Sequence, residues 1–111
     1  MLVLIHNAHP VGGTITAPPS KSMAHRAVLC AALAEGRSRI TNLEFSKDIS
    51  ATLSAASQLC AAVDTGADEA VVEGLGHFLP LSAPVDCCES GSTLRFLIPI
   101  ASLTGQPVTF T

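Results

Sequence analysis

Six lysines and arginines are all the firm cations in 111 residues, and two of them fall in one ten-residue stretch, APPSKSMAHR at 17–26. Pro18, Pro19 and Ser20 open a long apolar run, which places Lys21, Ser22 and Arg26 in the first turns of a helix. A helix start exposes N–H groups that lack internal partners and carries about half a positive charge. Lysine or arginine there opposes the dipole, at about 0.3–1 kcal/mol each, and an anion docked among them reverses that loss. Ser22 and Arg26 are four apart and share a face. A hydroxyl and a planar guanidinium on that face can hold phosphate oxygens while Lys21 leans over the opening. The plain alternative for Lys21 and Arg26 is solvated surface charge. A Walker phosphate loop is excluded, because glycines would be needed at positions 20 and 15, which hold Ser20 and Ile15.

ESGSTLR at 89–95 repeats the arrangement: a turn of small residues runs into a helix, with Ser90, Gly91, Ser92 and Thr93 offering N–H groups and hydroxyls and Arg95 one turn in. Gly91 lets backbone approach a ligand closely. Taken alone, this is also what a serine-capped helix looks like. Asp48 is the natural partner for one of these cations, though it can serve as a helix cap instead. The four histidines, His6, His9, His25 and His77, share no metal-ligand spacing, and the four cysteines show no C-x-x-C pair, so no metal is expected.

The elements that must carry these residues follow from pattern. LVLI at 2–5 and GGTIT at 12–16 read as strands, and a helix is predicted over 21–35 with Gly36 as its stop. SRITNL at 38–43 alternates as a strand. Ser46 or Asp48 caps a second helix over 48–62, with Ile49, Leu53, Ala56 and Cys60 on one stripe. AVD and AVVEG flank the turn-rich TGADE as a hairpin. PVDC at 84–87 reads as a strand, 90–105 as a third helix that Pro99 kinks or ends, and PVTFT at 107–111 as a last strand. The class is α/β with mixed sheet pairing. The first and third helices are apolar almost all the way round and are expected inside, with sheets around them.

Composition narrows the partners. With 48% apolar and 14% charged residues, the chain implies a large buried fraction or an apolar face awaiting a partner. It contains no Trp or Tyr and carries a net charge of -3, which argues against nucleic acid. AVLCAALA at 27–34 falls short of the ~20 residues that span a bilayer, and the N-terminus lacks the basic region and full apolar run of a signal peptide. A cytoplasmic protein with reduced, packed thiols at Cys30 and Cys60 is the resulting expectation.

GGTITAPPSKSMAHRAVLCAALAEGRSRITNLEFSKDISATLSA, followed by ESGSTLRFLIPIASLTG, resembles the start of the 5-enolpyruvylshikimate-3-phosphate synthase (3-phosphoshikimate 1-carboxyvinyltransferase) family. The resemblance covers 12–111. P-S-K-S-x-x-H-R and S-G-S-T-x-R at this separation form a specific pair, and the first does not look like the related enolpyruvyl transferase of cell-wall synthesis. The resemblance implies transfer of the enolpyruvyl group of phosphoenolpyruvate to the 5-hydroxyl of shikimate 3-phosphate, in aromatic amino-acid biosynthesis, with no cofactor. It also implies an inside-out α/β architecture of two lobes built from βαβαββ units, helices inside and sheets outside. Residues 1–16 would belong to the other lobe, and 17–111 would form the first part of the lobe that binds shikimate 3-phosphate.

Carried over by motif, Lys21 resembles the lysine that touches both substrates and is the catalytic candidate. Ser22 and Arg26 resemble the shikimate 3-phosphate contacts. Gly91 resembles the glycine beside phosphoenolpyruvate, where the herbicide glyphosate also binds, and Ser92, Arg95 and Asp48 are supporting residues. His25 falls in the motif with no chemistry assigned, as a helix-packing or supporting residue.

Family enzymes are several times longer, so the chain reads as an incomplete N-terminal part, inactive alone, whose apolar faces meet a missing C-terminal lobe or another copy. A non-catalytic anion-binding module, half of a split enzyme and an unrelated α/β interaction domain are the alternatives. Two departures stand out: Cys60 and Cys88 occupy positions usually held by glycine, and either is strained by about 1–2 kcal/mol if its φ is positive.

Overall fold

The structure, a computed structural model, describes residues 1–6 and 12–111. Its elements in chain order are α1 (Lys21–Leu33), β1 (Gly36–Thr41), α2 (Lys47–Leu59), β2 (Ala61–Thr65), β3 (Glu69–Gly74) and α3 (Gly91–Ala101). Each helix begins on a serine whose hydroxyl accepts an amide of the first turn: Ser20 from Met23, Ser46 from Ile49, and Ser90 from Thr93. The cap of α2 is therefore Ser46, and Asp48 lies inside its first turn, where a carboxylate suits the dipole.

The strands form one antiparallel sheet of order β1-β3-β2. The predicted hairpin is β2 and β3, in register Ala61↔Gly74 to Thr65↔Ala70. β1 adds to the other side of β3 from Gly36↔Gly74 to Thr41↔Glu69. Ala70, Val72 and Gly74 of β3 are buried while Glu73 is exposed, so one face of the sheet rests on the helices. On the solvent side, Arg39 Nε and Nη2 donate to Glu69 Oε2 at 2.9 and 2.6 Å. The predicted strands around Val85 and Phe110 meet as one short parallel bridge on either side of α3, closed by Val85 N–H to Thr109 O at 2.8 Å and Cys87 N–H to Thr111 O at 2.8 Å. This bridge beside an antiparallel sheet is the mixed pairing that was expected.

Several expectations need correction. Residues 2–5 and 12–16 form no strand, because an extended segment becomes one only against a partner and none of the three sheet strands pairs with them. Ile15 is 92% exposed. The stretch 7–11, which holds His9, lies outside the described residues. α1 and α3 are not enclosed: Met23 on α1 and Ile98 on α3 are 64% and 54% exposed. α2 is the enclosed helix, lying against α1, β2 and α3, and its Ala51, Ala55 and Ala56 let neighbours come close. Cys30 is exposed, not packed. α2 ends at Leu59, earlier than expected, because the chain turns at Cys60 into β2. α3 continues only two residues past Pro99, whose missing N–H breaks the ladder.

Gly74 sits where α1 crosses the sheet. A Cβ there would collide with the carbonyl oxygen of Ala34 and stand 2.7 Å from that of Ala31. Those atoms are backbone at the end of a helix, so they cannot swing aside. Gly74→Ala is expected to destabilise the chain by about 2 kcal/mol or more, read as a lowered urea midpoint, whereas Gly12→Ala, in open space, leaves it unchanged.

Candidate functional site

The serine caps start three helices, and contacts between their first turns bring those starts together. Lys21 Nζ lies 3.3 Å from Asp48 Oδ2, joining the first residue of α1 to the second of α2. The Asp48 carbonyl accepts from Thr93 Oγ1 at 3.3 Å, which joins α2 to α3. The sequence pointed to two helix mouths; the fold adds a third. It was missed because the first turn of α2 carries Asp48 beside Lys47, which cancels any visible excess of positive charge.

Beneath this surface runs a buried chain of side-chain hydrogen bonds. His25 Nδ1 is 2.7 Å from Thr52 Oγ1, Thr52 Oγ1 is 2.8 Å from Thr93 Oγ1, and Thr93 Oγ1 is 2.7 Å from Ser90 Oγ. Thr52 and Thr93 are fully buried and His25 is 3% exposed. Thr52 was not singled out from sequence, since a threonine on an apolar stripe looks like core. His25 is the helix-packing residue expected. Burial is the main reason its pKa falls below the ordinary value; Asp48 pulls it back up, and Lys21 and Arg26 push it further down. The ring is neutral at pH 7.

The remaining residues singled out from sequence lie at the rim. Arg26 Nη1 donates to the Ser22 carbonyl at 2.7 Å, and its guanidinium stands 5.0 Å from the centroid of the Phe96 ring. Ser22 and Arg26 are thus brought together through the carbonyl instead of the hydroxyl, and Arg26 reaches across to α3. Ser22, Gly91, Ser92 and Arg95 are exposed, and nothing lies within 4 Å of the place a Gly91 Cβ would take.

Gly91 opens onto a hollow of about 290 Å³ with Cys87, Cys88, Glu89, Leu94 and Phe110 among its walls. Neither Lys21 nor Arg26 lines that hollow, so the basic mouth of α1 and the glycine of α3 do not share it. Their connection runs instead through Asp48 and the hydroxyl chain. Glu89 places a negative charge in the wall, which opposes an anion there.

Of the two cysteines at positions usually held by glycine, Cys60 has φ -162°, extended backbone open to any residue. Cys88 has φ +50° and donates its N–H to Asp86 Oδ1 at 2.7 Å. The strain falls on Cys88 alone, in the wall of the Gly91 hollow.

Three comparisons with known proteins bear on this arrangement. The family model for EPSP synthase (3-phosphoshikimate 1-carboxyvinyltransferase) matches residues 5–111. A 3-phosphoshikimate 1-carboxyvinyltransferase of Clostridium kluyveri is 43% identical over 105 residues, covering 95% of this chain and 25% of the relative. One of Clostridium beijerinckii is 48% identical over 100 residues, covering 84% and 23%. The solved structure of EPSP synthase from Acinetobacter baumannii superposes with a TM-score of 0.69 at 28% identity, covering 77% of this chain and 20% of that one. The chain spans about a quarter of the length of the curated relatives it matches.

Two measurements check the site. A depressed His25 pKa means that the unfolded chain binds the proton more tightly. The stability due to neutral His25 is therefore fully present above pH ~6.5 and is lost as pH falls from there toward the folded pKa. Urea midpoints should drop between pH 7.5 and 5.5, and His25→Gln should flatten that drop. Cys88→Gly should raise stability by about 1 kcal/mol through relief of the left-handed backbone, while Cys60→Gly should not stabilise.

Proposed function

The chain belongs to the EPSP synthase (3-phosphoshikimate 1-carboxyvinyltransferase) family, and from that premise we propose that it supplies the shikimate 3-phosphate side of an enolpyruvyl transfer. In that reaction the 5-hydroxyl oxygen of shikimate 3-phosphate forms a bond to C2 of phosphoenolpyruvate. The bond from C2 to the phosphate oxygen breaks, and inorganic phosphate leaves with the hydroxyl proton. Both substrates are multiply anionic, and drawing them together needs concentrated positive charge.

The observation that carries this reading is the meeting of three helix starts at Asp48, with Lys21 on one side and Arg26 at the rim. Lys21 is the catalytic candidate. Its half-exposed Nζ is held by the partly buried Asp48 carboxylate in a pair of the kind worth about 0–1 kcal/mol, so an incoming phosphate or carboxylate can draw it away at little cost. Ser22 and Arg26 take the 3-phosphate, and Gly91 receives phosphoenolpyruvate or glyphosate with Ser92 and Arg95 beside it. Asp48 holds Lys21 until the anions arrive. Residues 1–16 belong to the other lobe and 17–111 to the shikimate 3-phosphate lobe of a cytoplasmic enzyme.

Half of a split enzyme is a second reading, favoured by the apolar side chains of Leu2, Ile5 and Ile15, which are exposed among the described residues. A separately made C-terminal part that restores phosphate release on mixing would support it. The chain alone should release none from the two substrates, since a quarter of the enzyme lacks the groups that move protons in the addition and elimination steps.

Binding can be tested without turnover. Shikimate 3-phosphate titrated into the wild-type chain at low salt should bind, more weakly as salt rises. Lys21→Ala and Arg26→Ala should each weaken it about tenfold, the loss of one charge-assisted contact. Wild-type affinity in both variants, or no binding at all, would refute the assignment.

A further inference from the structure

We propose that the buried chain His25–Thr52–Thr93–Ser90 is a positioning device: it fixes the register of the three helix starts, and Thr93 is the residue through which the mouths of α1 and α3 stay aligned. The proposal rests on the anion-binding reading above for its functional consequence, but its geometry stands on separate contacts.

Apolar packing between helices is non-directional, and a core of alanine and leucine alone tolerates small slides of one helix along another. Hydrogen bonds between hydroxyls do not. Each link here is 2.7–2.8 Å long, and each joins residues from different helices or a helix to its own cap. Thr93 stands at the junction. Its Oγ1 faces Thr52 Oγ1, the Asp48 carbonyl and Ser90 Oγ, while its own N–H is the one that caps α3 on Ser90. A single hydroxyl therefore ties the cap of α3 to the first turn of α2, and through Thr52 to the ring of His25 on α1. Lys21 begins the same helix four residues earlier and pairs with the Asp48 side chain, whose carbonyl the Thr93 hydroxyl holds. Shifting Thr93 would move Gly91 and Ser92, two and one residues before it, relative to Lys21 and Arg26. Recognition by several groups at once fails on displacements of that order. Neither Thr52 nor Thr93 can touch a ligand, being fully buried, so both act through the residues they hold.

The test separates hydroxyl from shape. Thr93→Val keeps the shape and deletes the bonds; Thr93→Ser keeps the hydroxyl and deletes a methyl. With shikimate 3-phosphate as the probe, the valine variant should bind about tenfold more weakly and the serine variant close to wild type. In ¹⁵N–¹H spectra without ligand, Thr93→Val should shift the amides of Lys21, Ser22 and Met23 across the helix boundary, and Thr93→Ser should leave them in place. Wild-type affinity in the valine variant, or equal losses in both, overturns the proposal. If the wild-type chain binds no shikimate 3-phosphate, the functional reading fails and the amide shifts decide the positioning role alone: shifts confined to α3 refute it. If Thr93→Val does not fold, Thr52→Val replaces it with the same expectations, and unfolding of both would assign the chain to holding the fold and overturn a positioning role.

Discussion

Helix starts that meet must be held against their own repulsion. Each carries about half a positive charge and several N–H groups without partners, and here three of them converge with Lys21 and Arg26 added at the rim. Serine caps answer the nearest amides, and the Asp48 carboxylate supplies negative charge beside Lys21. Lys21 and Arg26 stay exposed at the rim of these first turns, with Asp48 against Lys21 and Glu89 in the wall beside Gly91.

Holding the helices in place is divided between two kinds of contact. At the sheet side the fit is steric: Gly74 lets the last turn of α1 press its carbonyls onto β3, and the alanines of α2 allow its neighbours close approach. At the mouth side the fit is directional, through the hydroxyls of Thr52, Thr93 and Ser90 and the neutral ring of His25. A charged imidazole would sit badly there, buried and with Lys21 and Arg26 nearby, which is why burial and those two cations all lower its pKa. Among the described residues two that are not glycine keep left-handed backbone, Asn42 and Cys88, the latter in the wall beside Gly91.

Much of this was legible in the chain itself. Proline, serine and glycine mark element ends by local backbone preference, so the three helix starts and the hairpin around TGADE follow from a few residues each, whereas Gly36, expected to stop α1, opens β1 after α1 has ended at Leu33. The two basic mouths were visible because lysine and arginine are scarce here, and their motifs resemble those of the family to which the chain belongs. Segments such as 2–5 and 12–16 look like strands by the same local rules, yet a strand is a relation between two segments, and no sheet strand pairs with them.

The sequence by itself determined where helices begin, which residues crowd those beginnings with charge, and the family. Only the tertiary structure decided that α2 is the enclosed helix, that its first turn joins the other two, that Lys21 pairs with Asp48 while Arg26 covers Phe96, and that Cys88 and not Cys60 bears the strain. The physical reason is range. Caps and turns are settled by neighbours along the chain, whereas Thr52 and Thr93 lie 41 positions apart and become partners only when α2 and α3 pack.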